Sequence, residues 1–319
     1  MSSLASRNNL IGIGSLVLGI FIFSMQDTII KSISGTHAVT LAIFLRSLVS
    51  FPILLVMVHY ERGVAAIITP HWKLLFARGF ILFLAYISYY TALAAMPMAE
   101  VTSLFAVAPI IITVMSGPIL GEKVAAFAWI ALVIGLAGSL LIVRPGTSIF
   151  DPAALLPLVS AATYAYAMVL ARQHASNVPT TVMSFYQNVT YIVCSPLLGF
   201  ILGAGAFGPV DSNPSLGFLL RPWAWPNTFD LSLMMACGII AAVAATLLTH
   251  AYRKGEASIV TPFEYTAMLW GSFWGFSLFA EVPQSITYIG MAMIAAAGVF
   301  AVRAGKSRSN SAGTAQEQS

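Results

Sequence analysis

The sequence predicts an all-α integral membrane protein with ten transmembrane helices, arranged as two inverted five-helix repeats. Hydrophobic residues make up 59% of the chain and charged residues only 8%, whereas a soluble domain usually contains about 25% charged residues. Apolar segments of the length needed to cross roughly 30 Å of hydrocarbon follow one another along the chain. The second half also repeats landmarks of the first half in the same order.

The predicted spans leave only short connections, so no soluble catalytic domain is expected. The ten spans are 10–34, 38–58, 70–93, 98–118, 125–143, 153–172, 179–202, 230–251, 257–279 and 285–303. The first segment is longer than a signal peptide and carries Gln26, Asp27 and Lys31, so we interpret it as the first helix. The widest gap, 203–229, is too short to fold alone. The polar tail after Arg303 is predicted to be disordered.

The distribution of Lys and Arg predicts the orientation of the chain. With the N-terminus in the cytoplasm, eleven of the counted basic residues, Arg78 among them, fall on the inner side. Only Lys31, Arg144 and Arg221 fall on the outer side, as the positive-inside rule requires. Both termini are therefore predicted to be cytoplasmic. The basic balance reflects topology, so the predicted partner is the lipid bilayer and not a nucleic acid.

An internal repeat determines the predicted architecture. A shift of 159 residues brings Glu122 onto Glu281, and a shift of 141 residues brings Arg46 onto Gln187. An insertion within 203–229 accounts for the difference. The alternative is chance similarity between apolar helices, against which the preserved order and the single gap argue.

The repeat also predicts a function class. We expect repeats over 1–148 and 149–305, followed by the tail 306–319. Because five is an odd number, the second copy must enter the membrane upside down. Inverted repeats give inward-open and outward-open states of similar energy around a site near the membrane midplane. This predicts a secondary transporter and argues against an enzyme or a receptor.

Several motifs carry a resemblance to a known family. They are Tyr89–Ala99, Pro109 and Gly117–Lys123 in the first half, and Lys254–Ser258 and Ala280–Glu281 in the second half. The second copy lacks the glycine that precedes the glutamate in the first. Together these motifs resemble the EamA-type domain of the drug/metabolite transporter superfamily. The resemblance covers nearly the whole chain and implies ten helices in two five-helix halves.

Two further motifs favour a branch of that superfamily. Phe23–Lys31 and Phe44–Ser47 look like those of bacterial inner-membrane metabolite importers, which include riboflavin transporters. The resemblance implies uptake of a planar vitamin such as riboflavin by alternating access. Exporters of amino acids or toxic metabolites share the fold and are the alternative. An integral-membrane enzyme would need catalytic groups clustered at one interface, whereas the polar residues here are scattered at depth.

Charged residues inside the predicted spans are candidate site residues. Each costs at least ~2.5–3.5 kcal/mol near the bilayer centre, so each needs a partner, a wet cavity or a function. Asp27 and Lys31 share one helix face, which allows either a local ion pair or a cavity position for Asp27. Arg46 stays charged at any working pH. It can neutralise Asp27, bind an anionic or carbonyl group of the substrate, or extend towards the membrane surface.

Glu264 is the candidate for proton coupling. Burial disfavours the charged form of a carboxyl group, and Glu264 lies near the start of the ninth span. The alternative is an ion pair with Arg253 or Lys254. Aromatic residues either form interfacial belts or line a pocket that suits planar substrates. The predicted substrate-binding residues are Gln26, Asp27, Arg46, Tyr86, Tyr90, Tyr164, Gln187, Asn188 and Trp270.

Small residues and prolines predict close packing and bending. Gly271 and Gly275 form a GxxxG pattern, which we interpret as packing within the bundle, with a homodimer as the alternative. Bends at Pro109 and Pro262 are candidate gate joints. No metal-ligand spacing, cofactor motif or ATP-binding loop is found, so no metal and no cofactor are predicted. The energy for transport is expected to come from an ion gradient or from the substrate gradient.

Overall fold

A computed structural model of the chain describes residues 2–121, 126–143, 152–174, 178–203, 214–255 and 260–297. Over these ranges the chain forms helices and short connections, and no strand. The helices are α1 Ser2–Ile33, α2 Val39–Arg62, α3 Trp72–Ala95, α4 Met98–Phe105, α5 Ala108–Leu120, α6 Ala126–Val143, α7 Leu155–Gln173, α8 Thr180–Leu202, α9 Pro214–Leu220, α10 Thr228–Lys254, α11 Thr266–Phe279 and α12 Ser285–Ala297. Three short 3₁₀ segments occur at Val64–Ile67, Pro152–Ala154 and Thr261–Tyr265.

Seven helical segments in these ranges are long and apolar enough to cross a membrane. They are Arg7–Ile33, Val39–Arg62, Trp72–Ala95, Met98–Leu120, Pro152–Gln173, Thr180–Leu202 and Thr228–Lys254. The chain is therefore a multi-pass membrane protein, but the predicted count of ten spans is not confirmed. The other predicted spans correspond to α6, to α11 with only 14 residues, and to α12, which is described only up to Ala297.

Large apolar side chains cover the outside of the helices. Phe200 is 83% exposed and Leu269 is 69% exposed, and other aliphatic and aromatic residues are similarly open around the bundle. Such a surface would be unfavourable in water and matches the hydrocarbon of a bilayer.

The helices of the two halves pack on each other reciprocally. In repeat order, α1, α2 and α3 of the first half correspond to α7, α8 and α10 of the second. The helix α1 packs along α10, and its counterpart α7 packs along α3. The second helices, α2 and α8, pack on each other, and α3 contacts α8 as α10 contacts α2. This exchange is the pattern that a two-fold axis between the halves produces.

The fourth span of each half is interrupted. In the first half α4 ends at Phe105 and α5 begins at Ala108, with Pro109 in its first turn. In the second half the 3₁₀ segment that contains Pro262 precedes α11. Proline lacks the N–H that the rest of a helix needs, and it is tolerated in a first turn. Pro109 therefore lies just after an observed break in the helix, and Pro262 lies in the 3₁₀ segment that leads directly into α11.

The two interrupted spans pack against each other through glycines. A Cβ atom placed on Gly271 would lie 2.3 Å from the Oγ1 atom of Thr102 in α4. A Cβ atom placed on Gly275 would lie 3.5 Å from the Cβ atom of Met98. The close approach of α11 to α4 therefore requires glycine at position 271, whereas the distance at Gly275 is an ordinary van der Waals contact. Both glycines lie on the face of α11 that packs within the chain.

Two corresponding helix ends share an unusual backbone conformation. Gly121 follows α5 with φ of 71°, and Ala280 follows α11 with φ of 51°. The two positions differ by the same 159 residues as Glu122 and Glu281. The glycine that the second copy lacks is therefore replaced by an alanine in the same left-handed region. Glu122 itself, Arg144 and the tail 306–319 lie outside the described residues.

Candidate functional site

A cavity of about 100 Å³ lies between helices of the two halves. This volume holds several water molecules or part of a small metabolite. Its walls come from α1, α3 and α4 of the first half and from α7, α10 and α11 with the preceding 3₁₀ segment of the second half. The polar and aromatic lining residues are Phe23, Ser24, Asp27, Tyr86, Tyr89, Tyr90, Thr102, Phe105, Ser160, Tyr164 and Glu264.

Asp27 faces this cavity from the last turns of α1. Its Oδ2 atom accepts a hydrogen bond from the hydroxyl of Tyr89 at 3.1 Å. Its neighbour Gln26 is completely buried and lines neither this cavity nor the smaller one described below. The amide of Gln26 instead donates to the hydroxyl of Tyr90. Asp27 therefore lies at the cavity, whereas Gln26 lies behind Tyr90, which lines the cavity.

Glu264 faces the same cavity from the 3₁₀ segment before α11. Its Oε1 atom accepts hydrogen bonds from Tyr164 at 2.8 Å and from Tyr252 at 2.5 Å. Its Oε2 atom is buried and has no hydrogen-bond partner among the described residues. The predicted alternative, an ion pair with Arg253 or Lys254, is not among the ion pairs of the described residues. The Arg253 guanidinium donates to Thr180. One oxygen of Glu264 therefore remains available in the cavity.

Arg46 lines a second, smaller cavity of about 20 Å³. Its side chain is 1% exposed, and its guanidinium carbon lies 4.9 Å from the ring centre of Tyr86, 5.6 Å from that of Tyr191 and 5.9 Å from that of Tyr90. Its Nε and Nη1 atoms have no hydrogen-bond partner in the part of the chain that the structure describes. The ion pairs found among the described residues do not include Arg46, so the predicted pair with Asp27 is not formed.

Close packing of α10 against α2 holds the backbone at Arg46. A Cβ atom placed on Gly238 would lie 2.5 Å from the carbonyl oxygen of Arg46. The hydroxyl of Ser50 donates to the carbonyl of Gly238 at 2.6 Å and to that of Arg46 at 3.0 Å. These contacts fix the backbone position from which the Arg46 side chain extends into the cavity.

Gln187 and Asn188 line the small cavity from α8. The amide of Gln187 donates to Tyr191 at 3.1 Å, and that of Asn188 donates to the carbonyl of Ser47 at 2.9 Å. Arg46 and Gln187, which the repeat brings into correspondence, therefore line the same cavity from α2 and α8.

The two cavities share a wall. Phe23 and Tyr86 line both of them, and their ring centres are 5.9 Å apart. The candidate site therefore has two compartments that meet at these rings, a larger one with Asp27 and Glu264 and a smaller one with Arg46.

Lys31 has a different partner from the one that its spacing allows. Its ammonium group pairs with Glu281 at 2.7 Å and donates to the carbonyl of Met96 at 2.6 Å. The second carboxylate oxygen of Glu281 accepts from the backbone N–H of Met98 at 2.7 Å. The local pair with Asp27 is therefore not formed. Glu281 thus pairs with Lys31 and caps the first turn of α4, and the network joins α1, α3, α4 and the segment after α11.

Helix ends on the other side of the protein are also joined. The carboxylate of Glu61, at the end of α2, accepts from the N–H of Thr181 at 3.0 Å and from its hydroxyl at 2.6 Å. Arg253 at the end of α10 donates to Thr180 in the same first turn of α8. Polar networks thus join helix ends on both sides of the central cavity.

Several residues lie elsewhere than the sequence predicted, and one residue that contacts the site was not predicted. Trp270 lines neither cavity and packs against Phe21, with ring centres 4.7 Å apart. Tyr252, which donates to Glu264, was not predicted, because no motif marks it. Arg78 was counted as a residue near the inner surface. It is only 2% exposed and donates to a backbone carbonyl in α7 at 3.0 Å.

In the described part of the chain no group of three or more His, Cys, Asp or Glu side chains could hold a metal ion. The arrangement offers carboxyl groups, tyrosine hydroxyls, aromatic faces and a guanidinium. These groups can bind a small organic molecule and exchange protons.

Together, the apolar helices and the cavity between two halves define a membrane transport protein. Two stretches, residues 10–144 and 151–303, each match the EamA-like transporter family. The chain belongs to this family, and the double match confirms the internal repeat.

Curated relatives of the chain are transporters. It is 28% identical to the pseudopaline exporter CntI of Pseudomonas aeruginosa, with 92% of this chain and 97% of that protein covered. It is 22% identical to the S-adenosylmethionine uptake transporter of Rickettsia prowazekii, over 93% of this chain and 94% of that one. It is 26% identical to the riboflavin transporter of Rhizobium johnstonii, over 66% and 64%. The relatives carry different small molecules, and they include both exporters and uptake proteins.

Proposed function

We propose that the chain is a secondary transporter that moves a small organic metabolite across a bacterial inner membrane by alternating access. Its ten membrane helices would form two inverted halves, 1–148 and 149–305, with the tail 306–319 and both termini in the cytoplasm. The reciprocal packing of α1 on α10 and of α7 on α3 supports this arrangement. Helices that are broken next to a central site are a recurring feature of such transporters.

The central cavity is the observation that carries the proposal. It combines an aromatic wall with two carboxyl groups, and both halves of the chain contribute to it. Asp27 lies towards the side on which α1 ends, whereas Glu264 lies towards the side on which α10 ends. A substrate in this cavity would contact both halves, so movement of one half against the other would change the side from which it is reached.

Glu264 is proposed as the proton-coupling group. Ionisable residues inside a membrane are costly and usually serve transport or pairing. Among the described residues Glu264 has two tyrosine donors and no paired cation, and one of its oxygens has no hydrogen-bond partner there. A proton on that oxygen would remove the charge while the carboxyl group is sealed from water.

Riboflavin uptake is the first specific activity to test. The aromatic lining, which includes Tyr86, Tyr90 and Tyr164, suits a planar ring system. The similarity to a riboflavin transporter supports the same choice. Export of an amino-acid-type metabolite is the second candidate, favoured by the paired presence of buried carboxyl groups and a buried guanidinium, and by the similarity to an exporter.

The test is growth and labelled-riboflavin uptake by a riboflavin-auxotrophic bacterium that expresses the chain at limiting vitamin. We expect rescue by the parent chain and loss of rescue with Arg46→Gln. A Cys194→Ala variant serves as the matched control, because Cys194 lines neither cavity. Membrane insertion of each variant is measured in parallel. Failure of a well-inserted parent to rescue growth would reject riboflavin, and efflux of amino acids from preloaded cells would then be measured.

A further inference from the structure

We infer that the small cavity at Arg46 is the subsite for a carboxylate group of the transported metabolite. The inference rests on the proposed transport function and favours the second candidate substrate, an amino-acid-type metabolite, over riboflavin, which has no carboxylate. The substrate would extend a terminal carboxylate towards Arg46, while the rest of the molecule occupies the larger cavity beside Asp27 and Glu264.

Among the described residues no contacting anion balances the buried charge of Arg46. The side chain is 1% exposed, and its Nε and Nη1 atoms have no hydrogen-bond acceptor in the described part of the chain. The ion pairs found there join Lys31 to Glu281 and His37 to Asp230 instead. Asp27 lines the neighbouring cavity and hydrogen-bonds to Tyr89. A buried cation without an acceptor is costly, so the guanidinium is poised for an anion that none of the described residues supplies.

The tyrosine rings around Arg46 only partly offset this cost. Three ring centres lie between 4.9 and 5.9 Å from the guanidinium carbon. Ring faces attract the positive charge, but they do not accept the in-plane N–H donors strongly. The planar fork of a guanidinium matches the two oxygens of a carboxylate, which would satisfy these donors.

A second unpartnered donor faces the same space. Ser184 lines the small cavity and is 2% exposed. Its hydroxyl has no hydrogen-bond partner within the described ranges. Arg46 on α2 and Ser184 on α8 therefore present donors to one cavity from opposite halves of the chain. Other buried polar side-chain atoms of the described residues also lack a hydrogen-bond partner. Those of Arg46 and Ser184 differ in that both residues line one cavity, from which a single ligand could satisfy both.

The size of the small cavity defines how a ligand would enter. A volume of about 20 Å³ holds roughly one water-sized group. It therefore accommodates the end of a molecule and not a whole metabolite. Phe23 and Tyr86 separate it from the larger cavity, so a substrate would pass its carboxylate between these rings.

The charges of the two compartments together specify the ligand class. The larger cavity presents the carboxyl groups of Asp27 and Glu264, and the smaller one presents the Arg46 cation. This distribution is complementary to a zwitterion that carries an ammonium group and a carboxylate, as amino-acid-type metabolites do. An uncharged flavin would leave the Arg46 donors without a full counter-charge.

The test measures binding of the simplest aromatic carboxylate to the purified full-length chain in detergent. Benzoate, its uncharged analogue benzamide, and sodium chloride at equal ionic strength are titrated while the midpoint of thermal unfolding is followed. We expect benzoate to raise the midpoint saturably, and benzamide and chloride to have no such effect. In Arg46→Gln the half-saturating benzoate concentration should rise at least about ten-fold, the loss expected for a charged hydrogen bond.

Two further variants keep the test decisive if Arg46→Gln folds poorly. Ser184→Ala should weaken the benzoate response several-fold, and Cys194→Ala should leave it unchanged, because Cys194 lines neither cavity. No benzoate response of the parent, an equal response in Ser184→Ala and the parent, or an equal response to chloride would overturn the carboxylate subsite. Riboflavin uptake without benzoate binding would reject the subsite alone, whereas benzoate binding without transport of any tested metabolite would reject the transport function.

Discussion

Tyrosine hydroxyls hold the buried carboxyl groups of the central cavity. Asp27 accepts from Tyr89, and Glu264 accepts from Tyr164 and Tyr252. Tyrosine can donate to either the neutral or the charged form of a carboxyl group, whereas a lysine or arginine partner would strongly favour the charged form. Residues that must gain and lose a proton are better served by such neutral donors.

Replacing Glu264 tests its role in coupling. The change Glu264→Gln keeps an oxygen that can accept from the tyrosines but removes the titratable proton. We expect the stimulation of transport by an imposed pH gradient to be lost. Substrate binding should be weakened but retained, because Asp27 and Arg46 remain in the two cavities. The measurement is transport of the identified metabolite into sealed vesicles, with and without the gradient.

Glu100→Gln is the matched control for this experiment. Glu100 lies in the first turn of α4, accepts from Thr287 at 3.3 Å and does not line the cavity. Its variant should respond to the gradient as the parent does. An undiminished gradient response in Glu264→Gln would contradict the proposed coupling role.

Adjacent residues show where prediction from sequence fails. Gln26 and Asp27 were both predicted to bind substrate, but successive helical residues point about 100° apart, and only Asp27 faces the cavity. In the same way Gly271 lines the cavity while Trp270 turns away from it. Lipid is as apolar as a protein core, so hydrophobic periodicity cannot tell which face of a membrane helix is buried.

At the scale of helices, most spans could be predicted and their interruptions only in part. Long apolar segments give α1, α2, α3, α7, α8 and α10 directly, because the bilayer sets their length. The fourth span was predicted as one helix over 98–118, but it breaks between Phe105 and Ala108. Pro109 indicated a bend there. The exact break depends on contacts with α7 and α11, which belong to the other half.

The two left-handed helix ends make a matched pair for a stability test. An alanine in this region costs roughly 1–2 kcal/mol more than glycine because of its Cβ atom. Gly121→Ala should therefore lower the midpoint of thermal unfolding in detergent, while Ala280→Gly should leave it unchanged or raise it. Equal destabilisation by both substitutions would show that the backbone conformation at these ends does not set their residue preference.

At the scale of the whole molecule, the proposed transport requires one central cavity that is reached alternately from either side. The halves exchange equivalent contacts, and polar networks at Lys31 with Glu281 and at Glu61 with Thr181 join helix ends on the two sides. Closing one network while the other opens would move the access path from one side to the other. The repeat could be predicted from sequence. The residues that pair within each polar network could not, because they come from segments that are distant in the chain.

The most direct test is the accessibility of a single cavity residue from both sides of the membrane. Ala267 lines the cavity, so a chain carrying Ala267→Cys and Cys194→Ser is prepared in right-side-out and inside-out vesicles. The native Cys237 is completely buried and lines neither cavity, so it serves as the internal control. A membrane-impermeant thiol reagent should label position 267 from both sides, the transported metabolite should slow that labelling, and Cys237 should stay unlabelled. Labelling of position 267 from one side only, or from neither, would contradict alternating access through this cavity.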